Sequence, residues 1–572
     1  MNDINKLYSL WLEKTKDNKA INDELLAVKG NDDEITDRFY RNLEFGTAGL
    51  RGILGAGTNR MNTYTVNQAT QGLADYLNSE FSSPSVAIAY DSRINSDVFA
   101  KEAAGVLAAN GVKVYIYPEL VPTPMLSFAV RRLKCSSGIV ITASHNPSKY
   151  NGYKCYDPEG YQMTDKAAQK TYEFIQKVDM FDGVKTCDFE KALASGKIEY
   201  ISKEIYDEFF DLVLTRRINP GVCEKAALKV IYTPLNGTGN KPVREILRRI
   251  GQKNVTVVPE QENPDGNFPT CPFPNPEIRQ AFDCALKIAE RDGADLLLAT
   301  DPDCDRVGIA VKDKGEYKLM TGNEVGVLLT EYILSCRKKN GTLPERPVVI
   351  KSLVTTDLVG VITEKYGGEI KNLLTGFKYT GECVTQLEKN GEADRFVLGM
   401  EESYGYLSGT HARDKDAVVG SMLITEMAAY YKEQGKTLIE VLDEIHKEYG
   451  LYKNTLLNFG FEGASGMKKM QDMMSDLREN VPASLGGLEV EAVSDYLTGK
   501  VKNIKTGEES ETGLPSSNVL RYKLPGNCVL VVRPSGTEPK IKIYITAVAD
   551  SDSAADEIIK NITADIEKIM DI

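Results

Sequence analysis

At 572 residues the chain is longer than one hydrophobic core can organise, and at about 150 residues per domain it divides into about four. Apolar residues make up 42% and charged residues 26%, the proportions of a globular protein, which excludes a disorder-dominated chain. With 69 Lys and Arg against 82 Asp and Glu the formal charge is −13, so the global field repels nucleic acid and anionic membranes and neither is an expected partner. An anionic substrate would need a local cluster of Arg and Lys in one cleft.

The 10 cysteines run from Cys135 to Cys528 without a CxxC pair or an even spacing, which argues against a disulfide scaffold or a zinc site and for a reducing cytoplasm. No stretch approaches the roughly 18 apolar residues of a membrane span, and MNDINKLYSLWLEK has no signal-peptide pattern.

In chain order, residues 4–30 place Leu7, Leu10 and Trp11 at helical spacing among Lys and Glu, predicting an amphipathic helix leaning on the body. SVAIAYD then reads as a strand and DVFAKEAAGVLAAN as a helix burying Phe99, Ala103, Val106 and Leu107, with KVYIY as the next strand. The pattern recurs at ALKVIYTPL, a helix through Ile246, and NVTVVPE. A further helix is predicted with Asn275 as its cap, Pro276 in first position and Ile278, Phe282, Ala285 and Ala289 as its buried stripe. It leads into the strand DLLLATD. A third unit opens with PVVIKSL, followed by VTTDLVGVITEKYG and IKNLLTGFKYTG. After about residue 456 come VLRYKL, a Pro-Gly-Asn turn, CVLVVRP, KIKIYITAV and a helix bearing Ile559, Ile562, Ile566 and Ile569. The prediction is three similar α/β domains with mixed sheets and a smaller C-terminal α+β domain. The expected boundaries are 1–40 for a helical extension, then 41–215, 216–335, 336–455 and 456–572.

Four segments carry chemistry, and each alone could be an ordinary turn. TASHNPSKYNGYK follows the apolar strand SGIVI, and ligands in α/β domains bind beyond the carboxyl ends of strands. Ser144 is therefore placed where a nucleophile can be presented, with no GxSxG elbow to suggest a hydrolase. DPDCDR offers Asp301, Asp303 and Asp305 at alternate positions. Three converging carboxylates repel unless a cation sits between them, and all-oxygen ligation favours magnesium or manganese. A calcium EF-hand loop fails, because its glycine and glutamate positions are Arg306 and Lys312. RPSGTEPK combines Arg533, Ser535, Gly536 and Thr537 and can form a nest for phosphate. GMEESYGYLSG brings Glu401 and Ser403 two residues apart, suited to vicinal hydroxyls of a sugar.

FGTAGLRG, TASHNP, DPDCDR, EESYGY and RPSGTEP, in this order across nearly the whole chain, resemble the α-D-phosphohexomutase superfamily. EESYGY and RDKDAV resemble its bacterial phosphoglucomutase and animal phosphopentomutase branch. The resemblance implies the four domains surround a central cleft. It implies that Ser144 is phosphorylated, that Asp301, Asp303 and Asp305 hold Mg2+ together with the Ser144 phosphate, and that Arg306 contacts the phosphoserine. Glu401 and Ser403 match the sugar-binding loop, while Arg533, Ser535, Gly536 and Thr537 match the loop gripping the phosphate that does not react. Arg51 and Lys378 match further cleft cations. Lys154 matches a general acid/base, with Lys415 and His145 as alternative proton carriers. Some relatives have a histidine two residues past the sugar-loop serine, and here that position is Gly405.

The reaction so implied is transfer of phosphate from Ser144 to a sugar phosphate, giving a sugar 1,6-bisphosphate that turns round and returns its other phosphate, with a mobile fourth domain expected to close over the cleft. Glucose is the first expectation. The alternatives are a phosphopentomutase, a phosphomannomutase, a bisphosphate synthase, and a non-enzymatic sugar-phosphate-binding scaffold. The oligomeric state is not encoded in any of these motifs.

Overall fold

A computed structural model describes residues 2–46, 49–461, 463–535 and 540–570. The chain divides into two compact units. The first contains Met1–Gly322, Phe377–Gly399 and Ser403–Thr437; the second contains Asn323–Gly376, Met400–Glu402 and Leu438–Ile572.

The first unit holds two mixed sheets. One orders its strands Gly49–Ile53, Tyr150–Tyr156, Ser137–Ile141, Ser85–Tyr90, Lys113–Ile116, Ile198–Tyr200. Ser85–Tyr90 runs parallel to both Lys113–Ile116 and Ser137–Ile141, and Tyr150–Tyr156 returns antiparallel. Every residue of Ser137–Ile141 is buried, as expected of a strand covered on both faces. The other sheet runs Glu316–Met320, Val307–Asp313, Leu296–Thr300, Val230–Thr233, Val255–Val257. Its strand Leu296–Thr300 is likewise wholly buried. The helix Ser96–Ala109 buries Phe99, Ala103, Val106 and Leu107 as the spacing predicts.

Two local expectations are corrected. Residues 4–30 form two helices, Asn2–Lys14 and Lys19–Ala27, with a third at Asp32–Phe39. The break comes where the Asn18 side chain accepts the amide of Ile21 and so caps a new helix. Trp11 is fully buried with Tyr8, Leu25, Ile35 and Phe39, while Leu10 is 40% exposed. The second correction concerns residues 275–278. Asn275 Oδ1 accepts the Glu277 amide, but Ile278 is extended and helix begins only at Arg279–Phe282, a 3-10 turn leading into Asp283–Asp292. Two contacts hold the segment out of the helix. Glu277 reaches across to Arg306, and the Pro276 backbone lies against Gly308, where an added Cβ would meet the Pro276 carbonyl oxygen at 2.4 Å.

In the second unit Val348–Ser352 pairs in parallel with Glu369–Leu373. A seven-stranded sheet follows, ordered Leu451–Gly460, Lys540–Ala549, Val529–Pro534, Leu520–Lys523, Ala492–Asp495, Lys500–Asn503, Glu509–Glu511. All of its pairings are antiparallel. The helices Gly463–Glu479 and Asp552–Met570 supply Met474, Leu477, Ile562 and Ile566 to its core. Ile559 and Ile569 pack at the edge of that core. The α/β sheets and the C-terminal α+β sheet are the classes predicted. Among the described residues no helix is long and apolar enough to cross a membrane.

Candidate active site

Ser144 and the aspartate loop leave the carboxyl ends of two buried strands, Ser137–Ile141 and Leu296–Thr300, one from each sheet of the first unit. The Ser144 hydroxyl donates to Asp301 Oδ2 at 2.8 Å and lies 3.1 Å from His145 Nδ1. Its backbone amide donates to Thr142 Oγ1 at 2.8 Å. Its φ is +52°, a left-handed conformation that costs a Cβ-bearing residue about 1–2 kcal/mol and persists only where the surroundings hold it.

Asp301, Asp303 and Asp305 are buried, with one carboxylate oxygen from each lying within 4.8 Å of the others. Asp301 Oδ1 accepts the amides of Asp305 and Arg306, which fixes the loop. Asp303 Oδ2 accepts from Lys154 Nζ at 2.9 Å and Thr123 Oγ1 at 3.1 Å. Lys415 Nζ is 3.0 Å from both Asp305 and Asp414, and Asp414 Oδ2 also accepts from the Tyr156 hydroxyl at 2.6 Å. Burial, then repulsion from Asp303 and Asp305, pushes the Asp301 carboxyl well up. Burial, then Asp303, raises Asp305. Burial alone would raise Asp303 too, but Lys154 above all, with a hydrogen bond from Asp301, holds it below the ordinary carboxylate range.

The cluster fits a hard divalent cation. Asp303 Oδ1 and Asp305 Oδ1 are buried with no hydrogen-bond donor among the described residues, Arg306 Nε standing 3.8 Å from Asp305 Oδ1, and a buried carboxylate oxygen without a hydrogen bond is costly unless a cation meets it. The donors are all oxygen, which suits magnesium or manganese.

Arg306 and His145 stand beside this cluster. Arg306 Nη1 donates to Glu277 Oε1 at 2.6 Å. His145 is driven well below its ordinary pKa by burial, then by the charges of Arg306 and Arg51, so it is neutral here. Arg51 is exposed on the strand Gly49–Ile53. Lys378 is bound to Asp165 at 2.6 Å. Gly405 has a specific reason to lack a side chain, because an added Cβ would lie 2.2 Å from Lys415 Cδ and 2.7 Å from its Cγ. The space beside the sugar-loop position is filled by the lysine stem.

Ser403 lies in the first unit, in the turn after the strand Phe396–Glu401. In the second unit Glu401 Oε1 accepts the Gly376 amide at 2.8 Å. Arg533 stands on Val529–Pro534 opposite Lys542, and the Ser535 amide donates to Lys540 O at 2.8 Å. Gly536 and Thr537 lie outside the described residues. Sequence reasoning missed Thr123, Thr142, Tyr156, Glu277 and Asp414 as parts of this site. Asp414 stands inside the quoted RDKDAV and Thr142 opens TASHNP, so both were in view; Thr123, Tyr156 and Glu277 carry no local signal.

The α/β/α models of phosphoglucomutase/phosphomannomutase domains I, II and III match residues 42–181, 207–315 and 321–449. The C-terminal domain of that family matches residues 497–564. A phosphoglucomutase of Staphylococcus saprophyticus is 35% identical over 539 residues, 94% of this chain and 96% of the relative. One from Staphylococcus aureus is 36% identical over 541 residues, 94% and 95%. Among solved structures, the fold is similar to the open form of the Paramecium phosphoglucomutase pp63/parafusin, with a TM-score of 0.71, 16% identity and coverage of 93% and 96%. A phosphoglucomutase/phosphomannomutase family protein of Burkholderia thailandensis gives 0.64, 20% identity, 92% and 97%. Four consecutive domain matches over a buried serine–aspartate–lysine cluster lead to one conclusion: the chain belongs to the phosphoglucomutase/phosphomannomutase family of phosphosugar mutases.

Proposed function

We propose that the chain interconverts glucose 1-phosphate and glucose 6-phosphate through a phosphoserine at Ser144 and a glucose 1,6-bisphosphate intermediate. The observation that carries this reading is the Ser144 hydroxyl resting on Asp301 in a buried aspartate cluster flanked by Lys154 and Lys415. The choice of glucose is supported by relatives named phosphoglucomutase over nearly the full length.

In the first half-reaction the bond between phosphorus and Ser144 Oγ breaks as a bond to the free sugar hydroxyl forms. The Lys154 ammonium gives a proton to Ser144 Oγ as that bond breaks and takes up the sugar hydroxyl proton in its place, so atoms and charge balance. The second half-reaction runs the same steps in reverse with the other phosphate. Asp301, Asp303 and Asp305 would hold a magnesium ion together with the Ser144 phosphate, and that ion when bound supplies Lewis-acid stabilisation of the transferring group. Lys415 and Arg306 add fixed positive charge, and neutral His145 orders the Ser144 hydroxyl. Glu401 and Ser403 would take sugar hydroxyls. Arg533, Ser535, Gly536 and Thr537 would take the phosphate that does not react, with Arg51 and Lys378 as further cations. All ten cysteines are thiols, which supports a reducing compartment, the cytoplasm.

The test is a side-by-side assay on glucose 1-phosphate, mannose 1-phosphate and ribose 1-phosphate with a trace of the matching bisphosphate. Glucose 1-phosphate should give the highest kcat/KM, and Ser144→Ala should lose nearly all turnover while staying folded, since a turn hydroxyl contributes only about 1 kcal/mol. Preference for mannose or ribose would reassign the sugar. Normal turnover by the alanine variant would end the phosphoserine reading.

A further inference from the structure

The loop carrying Ser144 is held by a single side chain from a different segment. Arg93 follows the strand Ser85–Tyr90, the parallel neighbour of Ser137–Ile141, so both loops leave the sheet at the same end. The Arg93 side chain is completely buried. Its Nη1 donates to the carbonyls of Pro147 and Tyr150, each at 3.0 Å. Its Nη2 donates to the carbonyls of Ser144, at 2.6 Å, and Asn146. One guanidinium thus satisfies four backbone acceptors in the seven residues 144–150, using the planar fork that distinguishes arginine from lysine.

The clamp is itself braced. Asp91 Oδ2 lies 3.4 Å from Arg93 Nε, while Asp91 Oδ1 accepts the Arg93 amide and the Ser96 hydroxyl. The guanidinium carbon stands 5.1 Å from the centre of the Phe268 ring, a cation–π contact. Phe268 comes from the segment between Val255–Val257 and Leu296–Thr300, so it belongs to the sheet that supplies the aspartates. Gly266 lets that segment come close, since a Cβ there would meet Ile94 N at 2.5 Å and the Arg93 carbonyl carbon at 2.9 Å.

We propose that Arg93 is the positioning residue that sets the angle of Ser144 toward Asp301 and toward the reacting phosphorus. It acts through the serine and not on the substrate. The left-handed φ of Ser144 is unfavourable for a serine in isolation, and the bond from Arg93 to the Ser144 carbonyl is one of the contacts that holds it. Without the fork the loop relaxes, Ser144 Oγ shifts, and a displacement of about 1 Å costs about 100-fold in transfer rate. This inference rests on the phosphoserine reading of Ser144.

Dephosphorylated wild type, Arg93→Lys and Phe268→Leu are mixed with glucose 1,6-bisphosphate, and phosphate on the Ser144 peptide is followed by mass spectrometry. Steady-state constants on glucose 1-phosphate and melting curves accompany it. Arg93→Lys keeps the charge beside Asp91 but cannot fork, so it should melt within about 5 °C of wild type and acquire phosphate about 100-fold more slowly. Its kcat should fall in parallel while KM stays within about twofold. Phe268→Leu, which removes only the brace, should slow phosphorylation about threefold to tenfold with KM unchanged. Phosphorylation of Arg93→Lys at the wild-type rate overturns the inference. So does a loss in which kcat, KM and melting temperature all worsen together, which is what a merely structural arginine would give. If Arg93→Lys does not fold, a wild-type rate in Phe268→Leu overturns it. Wild type that takes no phosphate on the Ser144 peptide overturns the reading of Ser144 and this inference with it.

Discussion

The hydroxyl of Ser144 and Oδ2 of Asp301, 157 residues apart in the chain, stand 2.8 Å from one another. Each residue lies in the loop that follows a wholly buried strand, and the two strands belong to different sheets of the first unit. The contact therefore depends on the register of two cores, and a shift in either would separate the nucleophile from the carboxylates.

Removing metal, or one of its ligands, should leave binding and stop turnover. EDTA-treated protein should lose at least about 100-fold in kcat and regain it with added magnesium, because the ion contributes several kcal/mol of charge stabilisation. Asp303→Asn should do the same without rescue, with KM for glucose 1-phosphate changed little. Full activity after metal removal would end this assignment.

The Asp157 carboxyl should make stability depend on pH. Burial pushes it up to about 6, against opposing bonds from Thr164 and the charge of Lys378. A folded-state pKa above the unfolded value of 3.8 means the folded protein binds the extra proton, so this group's contribution to stability falls as pH rises from about 4 to about 6 and is constant above. Asp157→Asn keeps an acceptor for the Thr164 amide and has no charge to bury. It should match wild type in urea midpoint near pH 4 and exceed it at pH 7 by about 1 kcal/mol, discounted for partial exposure. An equal effect at both pH values would show that the charge is not the cause.

Trp11 is the only tryptophan in the chain. Its ring centre lies 5.4 to 5.7 Å from those of Phe181, Tyr64 and Phe39. Trp11→Ala should cost about 3–5 kcal/mol in denaturant unfolding. Trp11→Phe should cost far less, because the indole N–H is buried without an acceptor among the described residues and its loss removes an unmet donor. Equal losses in both variants would contradict this account.

In the second unit, buried Lys351 is paired with Asp357 at 2.9 Å, and Arg521 reaches the same carboxylate at 2.9 Å. Asp357→Ala leaves the Lys351 ammonium its hydrogen bonds to the carbonyls of Ser352 and Thr355 and the more distant charge of Glu402. It should destabilise by about 3 kcal/mol, the low end for a broken buried pair, since Asp357 is 31% exposed. Arg521→Ala leaves the more deeply buried Lys351–Asp357 pair intact and should cost about 1 kcal/mol or less. Thermal melting of both variants distinguishes the two roles.

The local patterns were sufficient for the elements that end in the site. The apolar runs at Ser137–Ile141 and Leu296–Thr300 read as strands, which the structure buries completely, and the turn carrying Ser144 was placed at a ligand-binding end. The alternation of Asp301, Asp303 and Asp305 brought three carboxylates together, as the cluster shows. The ordered set of five motifs pointed to the family to which the chain belongs.

What the sequence by itself determined is whatever depends on neighbours a few residues away: buried strands, the helix stripe of Phe99, Ala103, Val106 and Leu107, and the spacing of the aspartates. Where a local signal competed with a distant contact, the tertiary structure decided. Asn275 and Pro276 ask for a helix start, but the Glu277–Arg306 bond and the Pro276–Gly308 approach keep the chain extended. The positions of Lys415 on Asp305 and of Arg93 on four carbonyls of the serine loop were equally invisible, because both join segments far apart in sequence. Hydrogen bonds and ion pairs act over about 3 Å, so which side chains meet is set by how two sheets fold against each other, a property no short window of residues contains.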